Sequence, residues 1–310
     1  MSENPKFKSR NSKHSQGGRF DIRASRSETV LLAAALGTLL AGCAVKPERL
    51  RVCPGKANVE EALQTLAARA EGAVPLRVNG QGMLRYYVPK KSKPERHNLP
   101  MQMWFDPPAN VYIQGSIVAD PRAVILGSNS EEFWLALSPK EMSSYYIGRW
   151  RDVQGFEGLV ISPRVVLEAL GIIVEPAGTL NTDLWSLQNK GPYDVLTRRD
   201  EAGRLIKRVY VYACDYVVHK VEYYDRRGKI VATATLGDYE PVTEGFSVPT
   251  RIAVESLGPD KRKDSIRITL NSPKRMKPFT EPARRRYFVP PDPNKFEHVY
   301  RYEEGRWVPE

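Results

Sequence analysis

Residues 110–137, NVYIQGSIVADPRAVILGSNSEEFWLAL, decide the fold of this chain. Two turn sequences, Asp120-Pro121 and Gly127-Ser128-Asn129-Ser130, separate three apolar runs of strand length. In the first run, Val111 and Ile113 occupy alternate positions and therefore share one face. The stretch predicts a meander of three antiparallel strands.

Alternation of apolar and polar residues recurs on both sides of this meander. Ile266, Ile268 and Leu270, for example, alternate with Arg267 and Thr269. One apolar face and one wet face are typical of an antiparallel sheet that covers a core on one side. We therefore predict a mostly β domain of the α+β class, built on a curved antiparallel sheet or half-barrel.

Two helices are expected beside the sheet. Asn58 and Glu61 form a capping-box-like start for the first helix, and Gly72 marks its end. In mid-chain, Ser162-Pro163 open a second helix that Gly171 closes. Their apolar sides must be buried, so we expect the helices to pack on the concave face of the sheet.

The amino end has the composition of an export signal. Seven Lys and Arg residues precede the uncharged run Thr29–Leu40, which is shorter than the roughly 20 residues of a membrane-spanning helix. The run ends in Leu40-Ala41-Gly42-Cys43, which resembles the lipobox of bacterial lipoproteins. We predict a signal peptide over 1–42 and lipidation of Cys43; an apolar signal that happens to contain a buried cysteine is the alternative.

This attachment determines the surroundings of the chain. Residues 43–55 would form a tether, and Ala44, which is not Asp, points to the outer membrane under the enteric sorting rule. The net charge of +11 would suit a nucleic-acid partner in another compartment, but an exported protein meets membrane headgroups instead. The late basic clusters Lys274-Arg275 and Arg284-Arg285-Arg286 are either solvated loops or contacts to headgroups or to an envelope protein.

The remaining cysteines, Cys53 and Cys214, would face an oxidising compartment in which disulfides persist. A bond between them is one interpretation. A free, buried Cys214 is equally natural, because this residue ends the strand-like run 209–214.

The order of these elements resembles the family of outer-membrane lipoprotein carriers and receptors, the LolA/LolB-like proteins. The resemblance rests on the amino-terminal helix, the meander with 133–139 (FWLALSP) after its turn, the run 220–225 (KVEYYD) before a glycine turn, and 246–252 (FSVPTRI). It covers about 56–290, and residues 291–310 are expected to form an irregular tail. The resemblance implies a half-closed barrel, capped by helices, whose apolar cavity holds acyl chains.

Large apolar residues are the candidates for the wall of such a cavity, although a packed core would explain most of them equally well. The candidates are Trp104, Tyr112, Phe133, Trp134, Tyr146, Trp150, Val166, Leu170 and Trp185.

Signals for enzyme chemistry are weak. His97, His219 and His298 stand in three separate contexts without the spacing of metal ligands. Gly80-Gln81-Gly82 lacks the third glycine of a dinucleotide site, and no nucleophile elbow occurs. We expect no catalytic residue, metal or cofactor.

The predicted function is that of a membrane-anchored periplasmic lipoprotein which binds an acyl-chain or lipoprotein ligand at the outer membrane. A structural or envelope-interaction lipoprotein with a solid core is the alternative, and a cavity volume between the sheet and its helices would distinguish the two.

Overall fold

The computed structural model describes residues 51–87, 92–117, 120–138, 143–153, 167–168, 181–257, 262–304 and 306–310. Fifteen strands form a single open, curved sheet in the order β15-β14-β6-β5-β4-β3-β2-β1-β13-β12-β11-β10-β9-β8-β7. The neighbouring strands are antiparallel, except that β14 pairs parallel with β6. Residues 50–310 belong to one compact unit. The prediction of a mostly β, curved antiparallel sheet is confirmed.

The strands in chain order are β1 Leu76–Tyr86, β2 Glu95–Asp106, β3 Asn110–Ile117, β4 Asp120–Ser128, β5 Glu132–Leu137, β6 Ser144–Arg149, β7 Trp185–Lys190, β8 Tyr193–Arg199, β9 Leu205–Tyr212, β10 Val217–Tyr224, β11 Ile230–Thr243, β12 Phe246–Leu257, β13 Lys263–Arg275, β14 His298–Glu303 and β15 Arg306–Pro309. The described helices of at least seven residues are α1 Val59–Glu71 and α2 Glu281–Tyr287.

The two faces of the sheet carry different cores. We call inner the face that carries Met103 and Phe105, which belong to the main apolar core, and outer the face that carries Trp104. Neighbouring residues of a strand point to opposite faces, so β3 to β5 divide in the same way. The inner core extends over nearly the whole sheet, whereas the outer core is confined to β2–β6 and the segment around α2.

Helix α1 packs its apolar side on the inner face. The Asn58 side-chain oxygen accepts a hydrogen bond from the Glu61 backbone N–H at 2.8 Å and caps the helix. Leu63 and Leu66 are buried in the main core. Arg69 donates to the Asp215 carbonyl at 3.0 Å, which ties the end of α1 to the turn between β9 and β10.

Helix α2 packs on the outer face, so the described helices do not share one face of the sheet. Tyr287 stacks on Trp104 with ring centroids 4.8 Å apart, and the Arg284 guanidinium pairs with Asp106 at 2.9 Å. Of the predicted mid-chain helix, only Leu167 and Glu168 lie among the described residues; both are helical and buried.

The prediction of an irregular tail over 291–310 is wrong, because β14 and β15 occupy half of that range. Without β14, β6 would be an edge strand with unpaired backbone groups. Tyr300 stacks on Tyr146 at 4.9 Å, and Trp307 packs edge-on against the same ring at 5.3 Å. Backbone pairing and aromatic contacts together outweigh the prolines that precede β14.

None of the helices in the described part of the chain has the length and apolar character needed to span a bilayer.

Candidate functional site

Two glycines leave a gap in the inner face near the centre of the sheet. Gly80 and Gly82 occupy consecutive inward positions of β1, where other strands carry large apolar side chains. The Met101 side chain occupies the space beside Gly82, since a Cβ added there would lie 2.4 Å from the Met101 Sδ. We call this gap and its walls the inner groove.

The cavity that remains in the inner groove has a volume of about 10 Å³ and is enclosed by apolar residues and one glycine. The lining residues are Val78, Gly80, Met101, Met103, Ile113, Ile252, Ile268 and Leu270. A volume of this size holds about one water molecule. The methionines that fill the groove are unbranched and adaptable, so their rotation would enlarge a space that is otherwise nearly closed.

A buried ion pair lies elsewhere on the inner face. The Lys207 ammonium contacts Glu168 Oε1 at 2.8 Å, and the two side chains are only 3% and 5% exposed. Tyr223 donates its hydroxyl hydrogen to Glu168 Oε2 at 2.5 Å, and the Lys207 ammonium lies 5.3 Å from the centre of a Trp185 ring. The pair holds residues 167–168 against β9 and β10, and separating its charges within the core would be costly.

A groove of about 350 Å³, which we call the outer groove, lies on the half of the sheet formed by β7 to β11. It is lined by Lys190, Tyr193, Val195, Tyr210, His219, Lys220, Thr235 and Leu236. Burial lowers the pKa of His219, and the opposing effect of Asp215 does not cancel it. Burial also tends to lower the pKa of Lys220, but the hydrogen bond and charge of Glu222, 2.9 Å away, raise it overall.

The described candidates for a cavity wall are not brought together. Trp104, Tyr112 and Trp134 lie in the outer core, and thus they do not line the inner groove. The reason is the two-residue period of a strand: Trp134 follows Phe133 and precedes Leu135, whose side chains point to the other face.

The remaining candidates are dispersed. Phe133 packs against Trp150 at 4.7 Å, close to β14 and β15. Tyr146 stacks on β14, while Trp185 adjoins the ion pair of Lys207. Three predicted positions lie outside the described residues: Cys43, Val166 and Leu170.

Cys53 and Cys214 are joined by a disulfide, with their Cα atoms 5.1 Å apart. The bond ties the start of the described chain to the turn between β9 and β10. Tyr212 reinforces this attachment by donating a hydrogen bond from its hydroxyl to the Arg51 carbonyl at 2.8 Å. Of the two interpretations left open by the sequence, the bonded one describes the structure.

Sequence reasoning missed both features of the inner face. Gly80 and Gly82 attracted attention only as a poor match to a dinucleotide motif, although alternation already placed both on one face of β1. Nothing in the local sequence pairs Glu168 with Lys207, which lie 39 residues apart. Among the described residues, no cluster of three or more His, Cys, Asp or Glu is arranged to hold a metal ion.

The fold is similar to those of several solved structures. A domain assigned to outer membrane lipoprotein sorting, from Vibrio parahaemolyticus, matches with 16% identity and a TM-score of 0.47, over 73% of this chain and 96% of that domain. A DUF1329 family protein from Desulfovibrio piger matches with 13% identity and a TM-score of 0.46, over 72% and 95%. A LolA superfamily protein from Nitrosomonas europaea matches with 13% identity and a TM-score of 0.45, over 73% and 97%.

No family model and no curated protein sequence matches the chain. The structural neighbours include the type of protein that the sequence was predicted to resemble. At these identities the similarity concerns the fold alone, and the function has to follow from the geometry of the chain itself.

Proposed function

We propose that the chain is a lipid-anchored envelope protein whose β domain binds a hydrophobic ligand of the acyl-chain class in the inner groove. The observation that carries the proposal is the glycine gap in β1, where the adaptable side chain of Met101 takes the place of a fixed wall. Cys43 would hold the lipid, residues 43–55 the tether and residues 56–290 the binding domain, which faces the periplasm from the outer membrane.

Binding would follow from apolar transfer. Each methylene of an acyl chain that leaves water for the groove contributes about 0.8 kcal/mol. Rotation of Met101 away from Gly82, with movement of Met103 in the cavity lining, would admit the chain, and their return would close the groove after release. The apolar lining gives no hydrogen bond to a ligand, so affinity would depend on chain length and little on the headgroup. A lipoprotein presenting its acyl chains is a ligand of this class.

Displacement of a fluorescent fatty acid from the purified mature chain tests the proposal, together with native mass spectrometry for bound lipid. Gly82→Ala adds a methyl group beside Met101 and should weaken binding at least about fourfold, the equivalent of one methylene. Gly237→Ala is the matched control, because a Cβ at that position meets no atom within 4 Å. Equal affinities of the two variants, or the absence of both bound lipid and displacement, would contradict the proposal.

A second candidate function is favoured by the cavity volume. At about 10 Å³ the cavity of the inner groove is far too small for an acyl chain as it stands, which suits a structural lipoprotein with a solid core. That function predicts no displacement at any fatty-acid concentration and no change in the melting temperature on addition of lipid. A ligand that binds the folded state would instead raise the melting temperature.

A further inference from the structure

Seven exposed basic side chains come together near the start of β1 and the ends of β2 and β13. We call them the basic patch: Arg77, Lys274, Arg275, Lys277, Arg284, Arg285 and Arg286. Strand register places Arg77 opposite Lys274. The ion pair between Arg284 and Asp106, the last residue of β2, brings the arginines of α2 to the same end of the sheet.

Aromatic rings support part of the basic patch from beneath. The Arg77 guanidinium lies 5.5 Å from the centre of the Trp104 ring, and Tyr287 stacks on that ring at 4.8 Å. Arg286 lies 5.5 Å from the Tyr287 ring. Cation–π contacts of this kind position the two guanidinium groups and leave their N–H donors available to an anion.

The charges of the basic patch are largely uncompensated. Arg284 pairs with Asp106 and Arg285 with Glu281. For the other five basic side chains, no carboxylate of the described chain lies within 4 Å, so they present a concentrated positive charge to solvent. Next to the patch, Val289 is 53% exposed and adds an apolar contact.

The basic patch lies at the end of the sheet where the amino-terminal tether enters. The disulfide of Cys214 fixes the tether at the turn between β9 and β10, and β13 ends on the same side, three strands from β10. At about 4.8 Å per strand, roughly 15 Å separates β10 from β13. Only seven residues stand between Cys43 and Arg51, and they reach at most roughly 25 Å.

We propose that the basic patch docks on anionic phospholipid headgroups of the membrane that holds the Cys43 lipid. The inference rests on the lipidation predicted from the sequence and adds a second, electrostatic contact to the anchor. Guanidinium and ammonium groups bind phosphate by charge-assisted hydrogen bonds, and a short tether keeps the patch within reach of the surface. Docking orients the domain so that the solvent-exposed side of α2 faces the bilayer.

Co-sedimentation with vesicles tests the proposal on the mature chain, residues 43–310, that carries Cys43→Ser so that no lipid contributes. We expect binding to vesicles that contain phosphatidylglycerol, weak binding to pure phosphatidylcholine, and loss of binding as salt screens the charges. The triple variant Lys274→Gln, Arg275→Gln, Lys277→Gln should bind about 100-fold more weakly, since each basic residue near the surface contributes about fivefold.

The matched control removes the same number of charges from the opposite end of the sheet. Arg226→Gln, Arg227→Gln, Lys229→Gln alters three exposed residues at the turn between β10 and β11 and should bind almost as the parent does. Circular-dichroism melting checks that both variants fold. Equal weakening in the two variants would show attraction by net charge alone and overturn the proposal.

Failure of the parent to bind phosphatidylglycerol vesicles would also overturn it; capture by an acidic envelope protein would then explain the patch. Displacement of a fluorescent fatty acid by the basic-patch variant should stay unchanged. The outcome for headgroup docking is therefore separate from the outcome for ligand binding in the inner groove.

Discussion

Replacing Lys207 by methionine should destabilise the domain strongly. The substitution preserves most of the side-chain volume but removes the ammonium group that lies 2.8 Å from Glu168 Oε1. Because Glu168 is only 5% exposed, its carboxylate then stays in the core without this countercharge. Removal of one partner from a buried pair costs about 3–5 kcal/mol.

Urea denaturation under non-reducing conditions measures this cost. With a denaturant dependence of about 3 kcal/mol per molar, the midpoint for Lys207→Met should fall by at least about 1 M. The double variant Lys207→Met, Glu168→Gln provides the control, since it removes the charge and keeps an oxygen that accepts the Tyr223 hydroxyl. We expect it to recover at least about 2 kcal/mol of the loss.

Two results would refute this reasoning. A loss below about 1 kcal/mol for Lys207→Met would place the pair in the range of surface ion pairs. A double variant no more stable than Lys207→Met would show that the packing of the lysine chain, and not the charge left on Glu168, determines the cost.

Three further predictions concern stability. Replacing Cys53 and Cys214 by serine removes a disulfide with a sequence separation of 161 and should lower the free energy of unfolding by about 5 kcal/mol. Urea denaturation measures this loss, and the parent protein should show the same loss under reducing conditions. Because burial lowers the pKa of His219, stability should be level above about pH 6.5 and fall below it, where the unfolded state binds the proton first; His219→Gln should flatten this profile in melting experiments. Leu66→Ala empties a site that is 1% exposed and should cost about 3 kcal/mol by thermal melting.

Local patterns predicted those parts of the fold that local physics determines. The Asn58 cap predicted the start of α1 correctly. Alternation predicted the strand β13, in which Ile266, Ile268 and Leu270 point inward. The meander from 110 to 137 appears as β3, β4 and β5, but Asp120, Pro121, Gly127 and Ser128, which were predicted as turn residues, lie within β4. In each case the pattern lies within one element, and its apolar residues are buried by an adjacent strand or helix.

The face of each aromatic residue was harder to predict. The run 133–137 is apolar throughout, and a strand covered on both sides gives no alternation from which its phase can be determined. The outer cover of Trp134 comes from Phe279 and Phe288, which lie about 150 residues further along the chain. The parallel pairing of β14 with β6 is equally remote in sequence, which is why the C-terminal strands went unrecognised.

This division of the aromatic residues bears on the ligand binding proposed for the inner groove. On β2 to β6 the outer face is already occupied, because Tyr287 and Phe288 cover Trp104 and its neighbours. The inner face has the opposite property: β1 contributes no side chain at Gly80 and Gly82, and the Met101 side chain, which is able to move, fills the space beside Gly82. The aromatic cluster therefore gives the sheet a rigid outer side that supports the basic patch, and the adaptable surface remains on the inner side.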